Sequence, residues 1–209
     1  MKKGDFVEIA YTGTLALTGE KFDESKGALA IMGHKTVVPG VEKQLEDMNV
    51  GDEKEFSVSP ADAFGKRKPE LVRVLPMRDF IKQKINPVPG IFVTIDNHEA
   101  KVQSVSGGRV RVDFNHPLAG RELQYKMKVV RQLNEPAEMA QKYFDYFGFV
   151  TKCSFADGKL TIKLEEKLKN LIEKMFAAKI KDMIPAIKEV VYDVEKKDEK
   201  KPVEAPAKQ

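Results

Sequence analysis

The dipeptide Gly107-Gly108 is the feature that most constrains how this chain can fold, because it separates two runs of alternating apolar and polar residues. The runs cover residues 100–106 and 109–114, and alternation with a period of two indicates half-buried strands. Two consecutive glycines tolerate the positive φ angles of a two-residue hairpin turn. This part of the chain is therefore predicted to form antiparallel sheet.

Similar patterns predict the other secondary structure elements. Further strands are predicted at residues 6–11, 53–58, 91–95 and 122–131, and the runs 150–155 and 159–164 flank Asp157-Gly158 as a second hairpin. Turns are predicted at 12–14 and 18–20, and helices at 39–48, 76–84, 136–147 and 165–181. Residues 187–195 alternate loosely, which favours a strand and leaves a helix as the alternative.

Two charged, proline-stopped segments divide the chain. The first is Lys66-Arg67-Lys68-Pro69 and the second is Asn134-Glu135-Pro136. Beyond Lys196 the residues are mostly Lys, Glu, Pro and Ala, a composition that predicts a disordered tail.

The charge pattern excludes some classes of partner. The 36 basic and 32 acidic residues are interleaved and leave a net charge of only +4, so nucleic acid is not an expected partner. A charged fraction of 33 % with one Cys and no Trp also suits a thermophile. The N-terminal apolar run is broken at Glu8, and no apolar stretch is long enough to cross a bilayer. A cytoplasmic protein without a membrane partner is therefore expected.

The motifs of most hydrolases and transferases are absent from the sequence. It has no glycine-rich phosphate loop, no Gly-x-Ser-x-Gly elbow and no His-Glu-x-x-His. The histidines His34, His98 and His116 are far apart in sequence, so neither a metal site nor a cofactor is predicted. Cys153 lies on a predicted strand, where a buried structural thiol is favoured over a nucleophile.

Four short motifs occur in a fixed order at turns and strand ends. They are Tyr11-Thr12-Gly13, Phe22-Asp23, the run Val-Val-Pro-Gly-Val-Glu at 37–42, and Ala63-Phe64-Gly65. Their order and spacing resemble the FKBP family of peptidyl-prolyl cis/trans isomerases. The run Asn-His-Pro-Leu-Ala-Gly at 115–120, after an insertion, resembles the SlyD-type branch, and the segment after Asn134 resembles long-chain archaeal FKBPs.

The resemblance implies an α+β fold with three parts. An FKBP half-barrel of antiparallel sheet around a short helix would comprise residues 1–67 and 117–134. A small β-rich insert-in-flap subdomain with a chaperone role would comprise 68–116, and a separate α+β C-terminal domain 135–196, followed by a disordered tail at 197–209.

The resemblance also implies a set of site residues. The catalytic positions would be Tyr11, Phe22, Asp23, Val37, Val38, Val41, Phe64 and Tyr125, with Ala28, Met32, His116 and Leu118 binding substrate. Val38 would donate its backbone N–H to a substrate carbonyl, and Asp23 would be a buried carboxylate beside Tyr11, with a turn-capping Asp as the alternative. Val41 stands where family members often have Trp, Phe64 where they have Tyr, and Tyr125 where they have Phe.

An isomerase of this kind needs no reactive side chain. Rotation about an X–Pro bond crosses a barrier of about 20 kcal/mol without breaking a bond, and an apolar pocket favours the less polar twisted amide. The alternative is a non-catalytic holdase that keeps the fold as a scaffold. Under either reading the partners are unfolded or proline-containing polypeptides.

Two apolar regions lie outside this pocket. Residues around 87–90 are predicted to bind unfolded chains, with the subdomain's own core as the alternative; they are Ile81, Ile85, Val88, Pro89, Ile91 and Phe92. The helix at 165–181 carries an apolar stripe that packs either on its own sheet or on a second copy, for dimerisation or for cradling substrate; it comprises Leu168, Leu171, Ile172, Met175, Phe176 and Ile180. The tail has no His or Cys, so no tight nickel site is expected there.

Overall fold

The computed structural model describes residues 1–195, so the predicted disordered tail lies outside the described residues. In chain order the strands are β1 (Phe6–Leu15), β2 (Lys21–Ile31), β3 (Glu53–Val58), β4 (Val72–Pro76), β5 (Phe92–Ile95), β6 (His98–Ser106), β7 (Arg109–Asp113), β8 (Leu123–Leu133), β9 (Lys152–Ala156), β10 (Lys159–Glu165) and β11 (Glu189–Glu195). The helices are α1 (Pro39–Glu46), α2 (Met77–Lys82), α3 (Pro136–Tyr146) and α4 (Glu166–Met183). The strands form three sheets, and nearly all of their pairings are antiparallel.

The first sheet has the strand order β2-β1-β8-β3. The sequence patterns did not indicate β2 or β4, and the prediction of a turn at 12–14 was wrong, because β1 continues to Leu15. Gly13 is buried in β1 so close to the Phe22 ring that an added Cβ would lie 2.6 Å from it. This glycine therefore makes room for an aromatic ring and does not form a turn.

Each face of the first sheet covers a different core. Val7 and Ile9 of β1 and Ala30 of β2 face α1, whose Val41 and Leu45 are buried against them. On the opposite face four residues pack against the C-terminal region, which makes one continuous core with it; they are Phe6, Leu29, Ile31 and Leu133. The alternation of β-strand side chains produces this division.

The second sheet, β4-β7-β6-β5, is built from the segment between β3 and β8. The predicted hairpin is confirmed, since Gly107 and Gly108 have φ angles of +55° and +73° and Ser106 pairs with Arg109. This sheet has its own small core, centred on Phe80 of α2 and Val102, Val110 and Val112 of the strands.

The third sheet, β11-β10-β9, contains the second predicted hairpin. Asp157 and Gly158 occupy the turn with φ angles of +50° and +79°. The strand predicted at 187–195 is confirmed and the helical alternative is wrong; β11 lies parallel to β10, with α4 providing the crossover that parallel strands require. None of the helices within residues 1–195 is both long and apolar enough to cross a membrane.

The apolar stripe of α4 is divided between core and surface. The buried part comprises Ile172, Phe176 and Ile180, which pack against the third sheet. This is the first of the two predicted alternatives, packing of the helix on its own sheet. Leu171 and Met175 are 42 % and 51 % exposed, so this part of the stripe is free of the core.

Candidate active site

A cleft of about 340 Å³ opens beside the N-terminus of α1, between β1, β2, β8 and the loop that carries Phe64. Seven of the eight predicted catalytic residues line it, together with Ala28, which was predicted to bind substrate. The seven are Tyr11, Asp23, Val37, Val38, Val41, Phe64 and Tyr125. Five of the eight are Val, Ala or Phe, so the wall is mainly apolar.

Tyr125 of β8 is the centre of an aromatic cluster beneath this cleft. Its ring centroid lies 6.0 Å from that of Tyr11, 5.8 Å from that of Phe22 and 5.9 Å from that of Phe56. Phe22 is the predicted catalytic residue that does not line the cleft; it meets Tyr125 edge-on and holds that ring in place. The cluster fixes the floor of the cleft, since a packed aromatic ring has few alternative rotamers.

The hydroxyl of Tyr11 donates a hydrogen bond of 2.6 Å to Oδ2 of Asp23. The prediction that Asp23 is buried was wrong: β2 is an edge strand, and the Asp23 carboxylate at the rim of the cleft is exposed. Burial, assisted by the charge of Asp23, raises the pKa of Tyr11 well above its ordinary value. For the same reasons the pKa of Tyr125 rises to about 12, so both phenols are neutral at physiological pH.

Val38 lines the cleft at the start of α1. It is the residue before Pro39 in α1, with φ −66° and ψ 147°, and its carbonyl accepts hydrogen bonds from the N–H groups of Val41 and Glu42. Within residues 1–195 the N–H of Val38 itself has no hydrogen-bond partner. It is therefore available to a ligand.

Phe64 forms one side of the cleft and is braced from outside by His116. The two rings are stacked, with centroids 4.3 Å apart and an interplanar angle of 3°. The N–H of Leu118 donates to Nδ1 of His116 over 3.1 Å, which orients the imidazole. His116, Leu118 and the buried Met32 do not line the cleft, and their role in binding substrate stays a prediction.

The predicted binding residues of the second sheet lie apart from this cleft. Ile81, Val88, Ile91 and Phe92 are between 39 % and 66 % exposed, which excludes the alternative that they form the core. Ile85 differs from them, because it is partly buried against that core. A second cleft, of about 590 Å³, lies between this sheet and the loop that precedes β8, and extends from Phe92 to His116.

The sequence patterns missed one wall of the candidate active site. The cleft is also lined by six residues that were not predicted. They are Ile9, Leu29, Lys35, Thr36, Met127 and Tyr146. Tyr146 belongs to α3, far away in sequence. The available signal was its spacing in the helix, since Tyr146 follows Met139 by seven residues and Tyr143 by three and so lies at the edge of the same apolar stripe.

The remaining candidate groups do not form a reactive centre. Among residues 1–195 no group of three or more His, Cys, Asp or Glu side chains could hold a metal ion. Cys153 is half-buried, and burial raises the pKa of its thiol to about 11, so it is a poor nucleophile at neutral pH.

The chain is similar to known peptidyl-prolyl isomerases. Residues 1–83 match the family described as FKBP-type peptidyl-prolyl cis-trans isomerase, and residues 73–118 match the family described as FKBP26, IF domain. The short-type peptidyl-prolyl cis-trans isomerase of Methanocaldococcus jannaschii is 30 % identical over 146 residues, which are 62 % of this chain and 92 % of that protein.

Two bacterial relatives are similar over shorter stretches. The FKBP-type 16 kDa peptidyl-prolyl cis-trans isomerase of Escherichia coli K12 is 31 % identical over 112 residues, covering 52 % of this chain and 75 % of the relative. The SlyD isomerase of Haemophilus influenzae is 34 % identical over 113 residues, which are 48 % of this chain and 54 % of the relative.

A mainly apolar cleft on an antiparallel sheet that packs against a short helix is the kind of site that a prolyl isomerase has. Because the chain matches these relatives and the family, it belongs to the FKBP-type peptidyl-prolyl cis-trans isomerase family. As the name of the family states, its members isomerise peptidyl-prolyl bonds.

Proposed function

We propose that the cleft beside α1 is where this isomerase rotates X–Pro bonds. The observation that carries the proposal is a mainly apolar cleft lined by Val38, whose backbone N–H has no hydrogen-bond partner among the described residues. A proline ring is apolar and lacks an N–H, so it fits between Val41, Phe64 and Tyr125. The carbonyl of a neighbouring substrate residue can then accept from Val38.

Catalysis follows from the difference between a planar and a twisted amide. Amide resonance gives the planar state its large dipole, and twisting the C–N bond removes that resonance. Water stabilises the planar dipole, whereas an apolar wall does not, so transfer into the cleft lowers the barrier. The Val38 N–H then holds one end of the peptide while the rest rotates, without any proton transfer.

Replacing Phe64 tests the cleft directly. We expect Phe64→Ala to lower kcat/KM for a proline tetrapeptide at least tenfold in a protease-free assay, because water then enters beside the prolyl ring. Leu17→Ala is the matched control, since Leu17 is 94 % exposed in the turn after β1. Equal rates for wild type and Phe64→Ala would show that catalysis occurs elsewhere.

We further propose that the second sheet acts as a chaperone module for unfolded chains. Its apolar side chains Ile81, Val88, Ile91 and Phe92 are exposed, and β5 is an edge strand with unpaired backbone groups. Extended chains bind such edges through backbone hydrogen bonds and side-chain pockets. The cleft from Phe92 to His116 would lead a bound chain toward Phe64, against which His116 stacks.

Aggregation suppression tests the chaperone proposal. We expect the double variant Ile81→Ser and Phe92→Ser to lose most of the wild type's ability to suppress light scattering by an unfolded protein. Leu17→Ser is the control, because Leu17 is an exposed apolar residue in the turn after β1, away from the second sheet. Full suppression by the double variant would refute this role. A wild type that suppresses aggregation but leaves tetrapeptide isomerisation at the uncatalysed rate would favour the holdase alternative.

We also propose that the chain is a long-chain archaeal FKBP with three domains. The isomerase domain would comprise residues 1–67 and 117–134, the inserted domain 68–116 and the C-terminal domain 135–196. Self-association through the exposed Leu171 and Met175 of α4 is proposed with them. Sedimentation equilibrium tests it: Met175→Asp should dissociate a wild-type dimer, and a wild type that stays monomeric at millimolar concentration would exclude it.

A further inference from the structure

The C-terminal end of α3 reaches over the proposed isomerase cleft. Tyr146, the last residue of the helix, lines the cleft beside Lys35 and Thr36 of the loop between β2 and α1. Its hydroxyl lies 3.4 Å from the backbone oxygen of Thr36 and donates to it. Thr36 in turn accepts a hydrogen bond of 2.7 Å from the N–H of Ile31, so the loop that Tyr146 contacts is itself tied to β2.

Helix α3 is held against the first sheet by apolar packing. Its buried residues Ala140, Tyr143 and Phe144 belong to the same core as Ile31 and Leu133 of the sheet. This packing fixes the direction of the helix axis, so the position of Tyr146 follows from the fold.

A group of ion pairs fixes the same helix laterally. Arg131 of β8 pairs with Glu8 of β1 at 2.8 Å and with Glu138 of α3 at 2.7 Å. Lys142 of α3 pairs with Glu8 at 3.5 Å. With the apolar core, these contacts leave α3 little freedom to turn Tyr146 away from the cleft.

An exposed aromatic surface continues from Tyr146 away from the cleft. Tyr146 and Phe147 are 48 % and 45 % exposed, and their rings meet edge-on at 5.1 Å. Phe147 is supported from below by Phe176 at 4.9 Å and by Tyr143 at 5.2 Å. A supported, half-exposed aromatic pair next to a binding cleft is a prepared site for an apolar side chain.

We infer that Tyr146 and Phe147, here termed the aromatic wall, select the substrate residue next to the proline by binding an apolar or aromatic side chain. The inference rests on the proposed cleft. Consecutive Cα atoms are 3.8 Å apart, so a polypeptide with its prolyl ring in the cleft places the adjacent side chain within reach of the cleft wall. The occupant is the isomerase's own polypeptide substrate, because the aromatic wall is continuous with the cleft.

Peptide selectivity tests the inference in the full-length chain. Two series of tetrapeptides, with Phe, Leu, Gly or Glu either before or after the proline, are compared in a protease-free assay. We expect the wild type to prefer Phe and Leu over Gly and Glu in one of the two series. Tyr146→Ala should reduce the Phe-to-Gly ratio of kcat/KM about fivefold, and Tyr146→Phe should largely preserve it, because the ring makes the contact.

Val150→Ala is the matched control, because Val150 follows the aromatic wall closely in sequence, is 85 % exposed and does not line the cleft. It should leave the ratio unchanged. Phe147→Leu is a second variant, which keeps an apolar side chain for folding but removes the ring, and it should lower the Phe-to-Gly ratio. A ratio that stays at the wild-type value in both Tyr146→Ala and Phe147→Leu overturns the inference. A normal rate in Phe64→Ala would instead overturn the cleft itself, so the two failures are distinguishable.

Discussion

The hydroxyl of Tyr11 and the carboxylate of Asp23 connect β1 to the edge strand β2 at the rim of the cleft. A hydrogen bond to a charged acceptor is stronger than one between neutral groups, but the exposure of Asp23 weakens it through solvent screening. The pair therefore serves mainly to position the Tyr11 ring.

A double-mutant cycle measures this contribution. We expect Tyr11→Phe and Asp23→Asn each to destabilise the chain slightly, with a coupling free energy of about 0.5–1 kcal/mol in urea unfolding. Both should lower kcat/KM severalfold, because the Tyr11 ring loses its tether. Strictly additive effects would mean that the hydrogen bond contributes nothing. Tyr192→Phe is a useful contrast, since the buried Tyr192 hydroxyl has no hydrogen-bond partner within the described residues and its removal should not destabilise.

Cys153 gives a prediction about pH. Burial raises the pKa of its thiol from 9.0 to about 11, so at pH 8 the thiolate fraction is roughly a hundredfold below that of an unfolded chain. Iodoacetamide labelling followed by mass spectrometry should be slower in the native protein by that factor. The neutral thiol is favoured by folding, so its contribution to stability is present below pH 9 and is lost as the pH rises toward 11. Labelling of the native protein at the unfolded rate would contradict the burial.

At the scale of secondary structure elements, α1 positions one side of the cleft, because Val41 lies in the helix and Val38 immediately precedes it. Its second residue, Gly40, is buried against β3, where an added Cβ would lie 2.3 Å from Cγ1 of Val58. The helix can lie this close to the sheet only because position 40 has no side chain.

Gly40→Ala should therefore displace the start of α1. We expect a loss of about 1–3 kcal/mol in the free energy of unfolding, as for other overpacked positions, together with reduced kcat/KM. Glu46→Ala, at an exposed position of the same helix, is the control and should be near neutral. A Gly40→Ala variant as stable and active as the wild type would show that α1 shifts without cost.

Local patterns predicted some elements better than others. The Gly107-Gly108 and Asp157-Gly158 hairpins were predicted correctly, because turn chemistry and strand alternation are local properties. Strand β2 was missed because it contains Asp23, Glu24, Ser25 and Lys26 in succession, and pairing with β1 rather than propensity holds it in the sheet. The order of motifs predicted most of the cleft. It could not predict Tyr146, whose place depends on how α3 packs on the far side of the sheet.

At the scale of the whole molecule, the first and third sheets share one hydrophobic core, whereas the second sheet has its own. Phe6, Ile31 and Leu133 belong to the first sheet but are buried against α3 and the third sheet. The first and third sheets should therefore unfold together.

Hydrogen exchange with mass spectrometry tests this coupling. Leu133→Ala, at a residue 2 % exposed, should cost about 2–5 kcal/mol and speed exchange in both β1 and β10. Phe80→Ala, at an equally buried residue of the second sheet, should speed exchange in β6 and β7 while leaving β1 and β10 protected. Separate responses of β1 and β10 to Leu133→Ala would mean that the shared core does not couple the two sheets.

The two chain crossings at the base of the second sheet are joined to each other. The N–H of Lys68 donates to Oδ1 of Asn115 over 2.8 Å, Nδ2 of Asn115 donates to the carbonyl of Lys68 over 2.9 Å, and Arg67 pairs with Asp113. The segment therefore leaves and re-enters the isomerase fold at a single point. We therefore expect residues 69–114 to be exchangeable as a unit, because a small domain with adjacent termini could take their place without redirecting the chain on either side.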